Sequence, residues 1–130
     1  MKCIIETNCK SEVKTIRMKI DRCVIALETK VFLFNLADFS VIDSVETCPN
    51  PKGLCSIASM SDSLILAYPS KNVGFIEVFF EKNSQRKSAQ AHKSTLSALE
   101  LCPKGMKLAT ASEKGTIIRI YDTSTMECIQ

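Results

Sequence analysis

Short runs of apolar residues recur along this chain, and polar or turn-forming residues separate the runs. Val13–Met18 alternates with period two, as the side chains of a strand do, whereas Cys23–Leu27 and Val31–Phe34 are continuously apolar. The lengths of these runs predict β-strands. The β-branched and aromatic residues in the runs favour strands further. No segment carries a sustained apolar stripe of 3.6-residue period, which is the mark of an amphipathic helix. The chain is therefore predicted to be all-β.

The predicted strands fall into three sets. A loop rich in Pro, Asn and Gly, Thr47–Leu54 (TCPNPKGL), separates the first two sets. The polar stretch Glu81–Gln90 is interpreted as a surface connection with a weak outer strand, and Met1–Ser11 as the frayed remnant of an earlier strand. The other predicted strands are Val13–Met18, Arg22–Glu28, Lys30–Leu36 and Ser40–Val45; then Cys55–Ala58, Leu64–Ala67 and Gly74–Phe80; then Leu96–Leu101, Leu108–Ser112, Ile117–Asp122 and Glu127–Gln130.

The stretch Ala109–Asp122 (ATASEKGTIIRIYD) has the most specific pattern. It reads as strand, turn at Glu113–Thr116, and strand, which is a hairpin signal. Tyr121-Asp122 stands where the Trp-Asp pair of a WD repeat usually lies, and Ala91-His92, 17 residues before the stretch begins, stands where the Gly-His pair would.

The spacing of the sets agrees with that interpretation. The second strands start near Val24, Leu64 and Leu108, so they are 40 and 44 residues apart. A WD repeat has a period of about 40–45 residues. We therefore predict a partial WD40-type β-propeller of three four-stranded antiparallel blades, at approximately 12–46, 52–91 and 92–130.

Three blades are too few to close a ring, since propellers close with about 4 to 8 blades. An open arc leaves two sheet faces in water. At about 25 cal/mol per Å², several hundred Å² of apolar surface on each face costs on the order of 10 kcal/mol. This rivals the whole stability of a typical domain, about 5–15 kcal/mol. The sequence is therefore expected to be part of a longer propeller, a truncated product, or an oligomer.

Composition excludes several other classes. Apolar residues make up 45% and charged residues 24%, as in a folded globular protein, and the net charge of +3 is too small to argue for a nucleic-acid partner. The apolar runs are too short for a spanning helix, and MKCIIETNCK has too short an apolar core for a signal peptide.

The odd count of seven cysteines favours a reducing compartment and free thiols, several of them in the core. With one histidine and no Cys-x-x-Cys, no metal site, cofactor or enzymatic activity is predicted.

Three stretches resemble the PROPPIN family, the WIPI-type propellers of autophagy. They are AHKSTLSALELCPKGMKLATASEKGTIIRIYDTSTMECIQ, ETCPNPKGLCSIA and VKTIRMKIDRCVIALETKVFLFN. The resemblance covers about Glu6 to Gln130. It implies a seven-bladed propeller that holds phosphatidylinositol 3-phosphate and 3,5-bisphosphate at two rim sites. It also implies a cytoplasmic protein recruited peripherally to autophagosomal and endosomal membranes, with autophagy proteins, including lipid-transfer proteins, as partners.

The first headgroup site of the family maps onto this chain residue by residue. Phosphate oxygens bind charge-assisted donors, hydroxyls and backbone N–H groups. Arg119 would supply a fork of donors, and Ser112 and Thr116 hydroxyls, while Gly115 would let the backbone approach. The residues that the resemblance assigns to this site are His92, Thr110, Ser112, Gly115, Thr116 and Arg119.

One departure from the family weakens the expected binding. In the family, the strand that ends near Gln130 continues into Phe/Leu-Arg-Arg-Gly, whose arginines serve both headgroup sites. This sequence ends before that motif, and the second site and the membrane-inserting loop would lie downstream. Losing a charged partner costs about 1.5–3 kcal/mol, or about 10- to 150-fold in affinity. Weak lipid binding is therefore expected from this chain alone.

Structural roles are open for the same residues. His92 is equally a blade histidine bonded across a loop, and Arg119 is equally a solvated strand residue. Ser112 and Thr116 are expected first to cap the hairpin turn, and Thr110 and Gly115 to have structural roles first. The basic residues Lys82, Arg86, Lys87 and Lys93 form a solvated connection or add about 1 kcal/mol each near an anionic membrane. A WD-type protein-interaction platform without lipid binding remains the alternative function.

Overall fold

The apolar runs form short β-strands in the computed structural model, which describes residues 1–129. The strands make three four-stranded antiparallel sheets, and within each sheet they follow chain order. The first sheet contains β1 (Thr15–Lys19), β2 (Arg22–Ala26), β3 (Lys30–Asn35) and β4 (Val41–Glu46); the second β5 (Ser56–Ile57), β6 (Ile65–Pro69), β7 (Phe75–Phe80) and β8 (Gln85–Gln90); the third β9 (Leu96–Leu101), β10 (Lys107–Ser112), β11 (Ile118–Asp122) and β12 (Glu127–Cys128).

The all-β prediction and the three sets of four strands are confirmed, with small shifts at strand ends. β5 keeps only two residues of the predicted Cys55–Ala58. The stretch predicted as a weak outer strand is a regular six-residue strand, β8, after a 3₁₀ turn at Glu81–Asn83. The last residue of the predicted strand Glu127–Gln130 lies outside the described residues. The blade limits 12–46, 52–91 and 92–130 stay predictions.

The second sheet buries both of its faces, because it lies between the other two. One face packs on the first sheet, in a core of Val24, Ala26, Val31, Leu33, Leu64, Leu66, Tyr68 and Phe79. The opposite face packs on the third sheet, in a core of Ala58, Ala67, Ile76, Val78, Leu99, Leu101, Leu108 and Tyr121. The period of two along each strand therefore delivers apolar side chains to both sides of the middle sheet.

Polar β8 links the second sheet to both neighbours. The Arg86 guanidinium forms an ion pair with Asp43 of β4, donates to the Tyr68 hydroxyl at 3.1 Å and lies 4.5 Å from the centre of the Phe79 ring. Lys87 extends the other way and donates to the Ser124 carbonyl beside the third sheet. These two cations are thus used in packing between sheets, whereas the sequence suggested a solvated connection.

The N-terminal stretch forms no strand within the described residues. Cys9 packs against the outward face of the first sheet, next to the buried Cys23, Ile25 and Phe34. No helix in residues 1–129 is long and apolar enough to cross a membrane.

Three of the seven cysteines are core residues, as predicted. Cys23, Cys48 and Cys55 are buried, with 5–6% of their surface exposed. Burial disfavours the thiolate, so it raises the pKa of all three thiols, to about 11 for Cys55.

The Arg86 contacts should stabilise the pairing of the first two sheets. Replacing Arg86 with Ala should lower the free energy of unfolding by about 1–2 kcal/mol, since a half-exposed ion pair and a cation–π contact each contribute about 1 kcal/mol. Arg86→Lys should recover little, because an ammonium lacks the planar fork. Urea titration measures both, with exposed Lys82→Ala as the control. An equal loss in the control would contradict this role.

Candidate functional site

The β10–β11 hairpin places two of the predicted site residues opposite each other. Thr110 pairs with Arg119 in the antiparallel register, so both side chains lie on the face that packs towards the second sheet. The turn between the strands is held by Glu113 N–H, which donates to the Thr95 carbonyl at 2.9 Å, and by Gly115 N–H, which donates to the Ser112 carbonyl at 3.4 Å.

His92 lies in the connection from the second sheet to the third. The backbone N–H groups of Ala91 and His92 both donate to the Gly74 carbonyl, at 2.9 and 3.0 Å. Gly74 has a φ of +83°, and a Cβ there would lie 1.9 Å from the His92 carbonyl oxygen. Only glycine fits such a position without strain. The turn between β6 and β7 therefore fixes the backbone at the site.

Hydrogen bonds orient the His92 ring, and burial favours its neutral form. Its side chain is buried, and its Nε2 lies 3.0 Å from the Thr110 hydroxyl oxygen. That hydroxyl donates to the Arg119 carbonyl oxygen at 3.5 Å. Its oxygen therefore accepts from the Nε2–H group of His92. Burial first, and then the Arg119 charge, lower the pKa of His92. The imidazole is therefore neutral at pH 7.

The Arg119 guanidinium is held in place at one end only. Its Nη1 donates to the Ala91 carbonyl. Its other N–H groups find no acceptor within residues 1–129, and neither does the Ser112 hydroxyl. Both side chains line the same depression. The arrangement leaves a charged donor and a hydroxyl available to a ligand.

An open depression of about 350 Å³ lies between the β8–β9 connection and the β10–β11 hairpin. Three cations line it and no acidic side chain does, so it favours an anion. Its lining residues are His92, Lys93, Ser94, Ser112, Lys114, Gly115, Ile117 and Arg119.

Four of the six predicted site residues come together here, namely His92, Ser112, Gly115 and Arg119. Thr110 lies beneath the depression, buried against His92. Thr116 is exposed on the turn and is not part of the lining.

Gly115 lines the depression without needing a glycine backbone conformation. Its φ is not in the left-handed region, unlike that of Gly74. A Cβ at Gly115 would lie 3.2 Å from the Ser112 Oγ. The missing side chain therefore keeps space beside a free hydroxyl.

Two lysines that line the depression, Lys93 and Lys114, were not among the site residues predicted from the sequence. Lys93 follows His92 directly, and Lys114 lies in the turn between Ser112 and Gly115. A cation adjacent to a candidate ligand residue was the available signal for both. It was weak, because lysines in turns are usually solvated.

The model of one protein family, PROPPIN, matches residues 2–128. The chain belongs to the PROPPIN family. The resemblance found in the sequence is thereby confirmed, and the three sheets are a partial β-propeller.

Curated PROPPIN relatives are considerably longer than this chain. WD repeat domain phosphoinositide-interacting protein 2 of Xenopus laevis is 39% identical over 109 residues, which is 82% of this chain and 25% of that protein. Autophagy-related protein 18 of Dictyostelium discoideum is 34% identical over 119 residues, which is 91% of this chain and 32% of that protein. The chain thus spans about a quarter to a third of their length.

Solved PROPPIN structures have the same fold. Kluyveromyces lactis Hsv2 matches 99% of this chain with a TM-score of 0.83 at 20% identity, and 41% of that chain is covered. The complex of KlAtg21 with the coiled coil of AgAtg16 matches 92% of this chain with a TM-score of 0.78 at 24% identity, and 40% of that chain is covered.

Gly74→Ala should disrupt the site from the neighbouring sheet. The strained φ and the clash with the His92 carbonyl should cost about 2 kcal/mol or more of unfolding free energy. Gly115→Ala is the matched control, since its φ is not left-handed and its contact is milder, and it should cost much less. Urea midpoints compare the two. Equal costs would show that the Gly74 turn does not hold the site.

The buried His92 should make stability depend on pH. Its folded pKa lies below the reference 6.5, so its contribution is fully present above pH 6.5 and is lost as pH falls through the folded pKa. It is the only histidine in the chain, so few other groups titrate between pH 5 and 7. Unfolding free energies measured across that range should fall towards pH 5. His92→Gln should flatten the slope, and an unchanged slope would contradict the assignment.

Proposed function

We propose that the depression between the β8–β9 connection and the β10–β11 hairpin binds the phosphorylated headgroup of phosphatidylinositol 3-phosphate and 3,5-bisphosphate. The observation that carries the proposal is that Arg119, whose guanidinium bonds only the Ala91 carbonyl within residues 1–129, lines the same depression as Ser112. Phosphate oxygens form strong charge-assisted bonds with such donors. Lys93 and Lys114 add positive charge around them.

Preorganisation supports the same proposal. The bond from Arg119 to the Ala91 carbonyl and the neutral, buried His92 hold the donors before a ligand arrives. A side chain that is already ordered loses less entropy on binding. The open shape of the depression suits a headgroup presented by a membrane surface.

The relatives extend this proposal to the cell. One is named phosphoinositide-interacting and another autophagy-related. We therefore propose that the chain acts peripherally at membranes in autophagosome formation, together with autophagy proteins. Residues 1–130 do not include the Phe/Leu-Arg-Arg-Gly motif expected of the family. We therefore expect these residues by themselves to bind the headgroup weakly.

The alternative is a protein-interaction platform that does not bind lipid. The large apolar side chains exposed at both ends of the arc favour it, among them Ile16, Met18 and Ile118. Such a platform would bind a protein partner regardless of the phosphoinositide content of a membrane.

Liposome flotation tests the lipid proposal. The chain should float with vesicles that contain phosphatidylinositol 3-phosphate more than with vesicles that contain phosphatidylinositol. Arg119→Ala should weaken this binding about 10-fold or more, because it removes a charged donor. Arg17→Ala, which removes an exposed arginine of the first sheet, should leave it unchanged. A chain extended through Phe/Leu-Arg-Arg-Gly should bind more tightly.

Two outcomes would count against a specific site. Equal flotation with both lipids would mean general attraction to an anionic surface. Equal losses in Arg119→Ala and Arg17→Ala would mean that net charge, and not the depression, determines binding.

A further inference from the structure

Each connection between the first and second strands of a sheet exposes one large apolar side chain. Ile20 follows β1, Met60 lies between β5 and β6, and Met106 lies between β9 and β10. They are 84%, 69% and 63% exposed. The headgroup depression lies at the other end of β10, beside the β10–β11 turn. We call Ile20, Met60 and Met106 the turn patch.

Hydrogen bonds between neighbouring connections bring the turn patch onto one edge. The Lys19 ammonium, which comes directly before Ile20, donates to the Ala58 carbonyl at 2.7 Å. The Met60 N–H donates to the Pro103 carbonyl at 2.7 Å. These bonds join the first sheet to the second and the second to the third. Exposed apolar residues are ordinary when they are scattered, whereas a set held on one edge is typical of a contact surface.

The backbone of Ile20 gives no structural reason for an isoleucine. Ile20 and Asp21 form a two-residue hairpin loop, since Lys19 pairs with Arg22. Ile20 has a φ of +51°, at which a β-branched residue is strained and Gly, Asn or Asp is preferred. Its exposed side chain adds little to the core. A strained and exposed isoleucine therefore points to a contact with another molecule.

Charges of opposite sign accompany the two ends of the turn patch. Asp62 and Ile20 line the same pocket, of about 290 Å³. Lys104 lies on the β9–β10 turn together with Met106. Both charged side chains are exposed, and neither forms an ion pair within residues 1–129. A partner with complementary charges would find one carboxylate and one ammonium available.

Most of the positive charge in the pocket beside Ile20 is already used. Lys19 donates to the Ala58 carbonyl, and Arg22 Nε donates to both carboxylate oxygens of Glu81, at 3.0 and 3.1 Å. Lys82, the third cation of the lining, belongs to the β7–β8 turn. The pocket is therefore no anion site, and its carboxylates favour a basic side chain at this end of the turn patch.

We propose that the turn patch binds an amphipathic segment of a partner protein. Apolar residues of the segment cover Ile20, Met60 and Met106, a basic residue pairs with Asp62, and an acidic residue pairs with Lys104. An anionic membrane is disfavoured as the occupant, because it would repel the Asp62 carboxylate. A second reason rests on the proposed function: lipid held at the depression would lie at the other end of the strands.

The contact does not depend on what precedes or follows residues 1–130. Further sheets of a propeller would pack on the outward faces of the first and third sheets. The turn patch lies instead at the ends of strands, on the connections between them. It would therefore stay open in a longer chain, and the experiment below applies to either length.

Selection from a random peptide library displayed on phage tests the proposal with the chain as bait. Enriched peptides should carry apolar residues between a basic and an acidic end. Fluorescence anisotropy of labelled synthetic copies should show that Ile20→Asn, Met60→Gln and Met106→Gln together weaken binding about 100-fold, because three apolar contacts are lost. Val73→Gln is the control: Val73 is 48% exposed on the β6–β7 turn, at the other end of the strands, and its replacement should change nothing.

A charge swap tests the orientation of the segment. Asp62→Lys should weaken binding of the enriched peptides about 10-fold, and copies in which Glu replaces the basic residue should recover it. No recovery would overturn the assigned pairing. Ile20→Asn alone should keep the urea midpoint of the parent or raise it, since Asn tolerates a positive φ. A lower midpoint would make Ile20 a structural residue and would overturn its place in the patch.

Three further outcomes would overturn the proposal. The first is that no peptide is enriched. The second is that the enriched peptides lose binding in Arg119→Ala and keep it in the triple variant, which would place them in the depression. The third is that the triple variant, with Arg119 intact, no longer floats with vesicles containing phosphatidylinositol 3-phosphate, which would make the turn patch a membrane surface. Arg119→Ala tests the headgroup proposal separately, so the two proposals can fail independently.

Discussion

The burial of the second sheet on both faces is the constraint on which the rest of the structure depends. A four-stranded sheet with apolar side chains on both sides is stable only when both sides are covered. Tyr68 and Phe79 seal one side and Ile76 and Val78 the other, each almost fully buried. Within residues 1–129 the outward faces of the first and third sheets are less covered: Cys9 packs on part of the first, and Ile16, Met18 and Ile118 stay exposed. The second sheet is therefore buried on both faces, whereas the outward faces of the first and third sheets stay partly exposed.

Polar contacts sit at the borders of these apolar layers and fix their alignment. Arg86 and Lys87 join β8 to both neighbouring sheets, and the Ser56 hydroxyl accepts a hydrogen bond from Leu101 N–H at 2.9 Å. Apolar packing is not directional, whereas these bonds are. The proposed headgroup site has border contacts of the same kind, since His92 bonds Thr110 and Arg119 bonds the Ala91 carbonyl.

The sequence predicted the sheets well because short runs of apolar, β-branched and aromatic residues separated by turn residues are a local property of the chain. Strand ends were less certain, since β5 keeps only two residues of the predicted Cys55–Ala58. The site was predicted only through a family resemblance. His92 and Arg119 are 27 positions apart, and no local pattern indicates that they meet. The sequence could not indicate the role of Gly74, because the residue it contacts, His92, lies in a different connection between strands.

The hydrogen bonds from the Ala91 and His92 N–H groups to the Gly74 carbonyl also limit how the repeats of such a chain can be rearranged. The third repeat, which contains the side chains of the proposed site, would lose their arrangement if it were transplanted without the repeat before it. The smallest unit that could be transferred with its arrangement intact is therefore a pair of neighbouring repeats. A duplication or swap that separates the two repeats would keep the residues but lose the site.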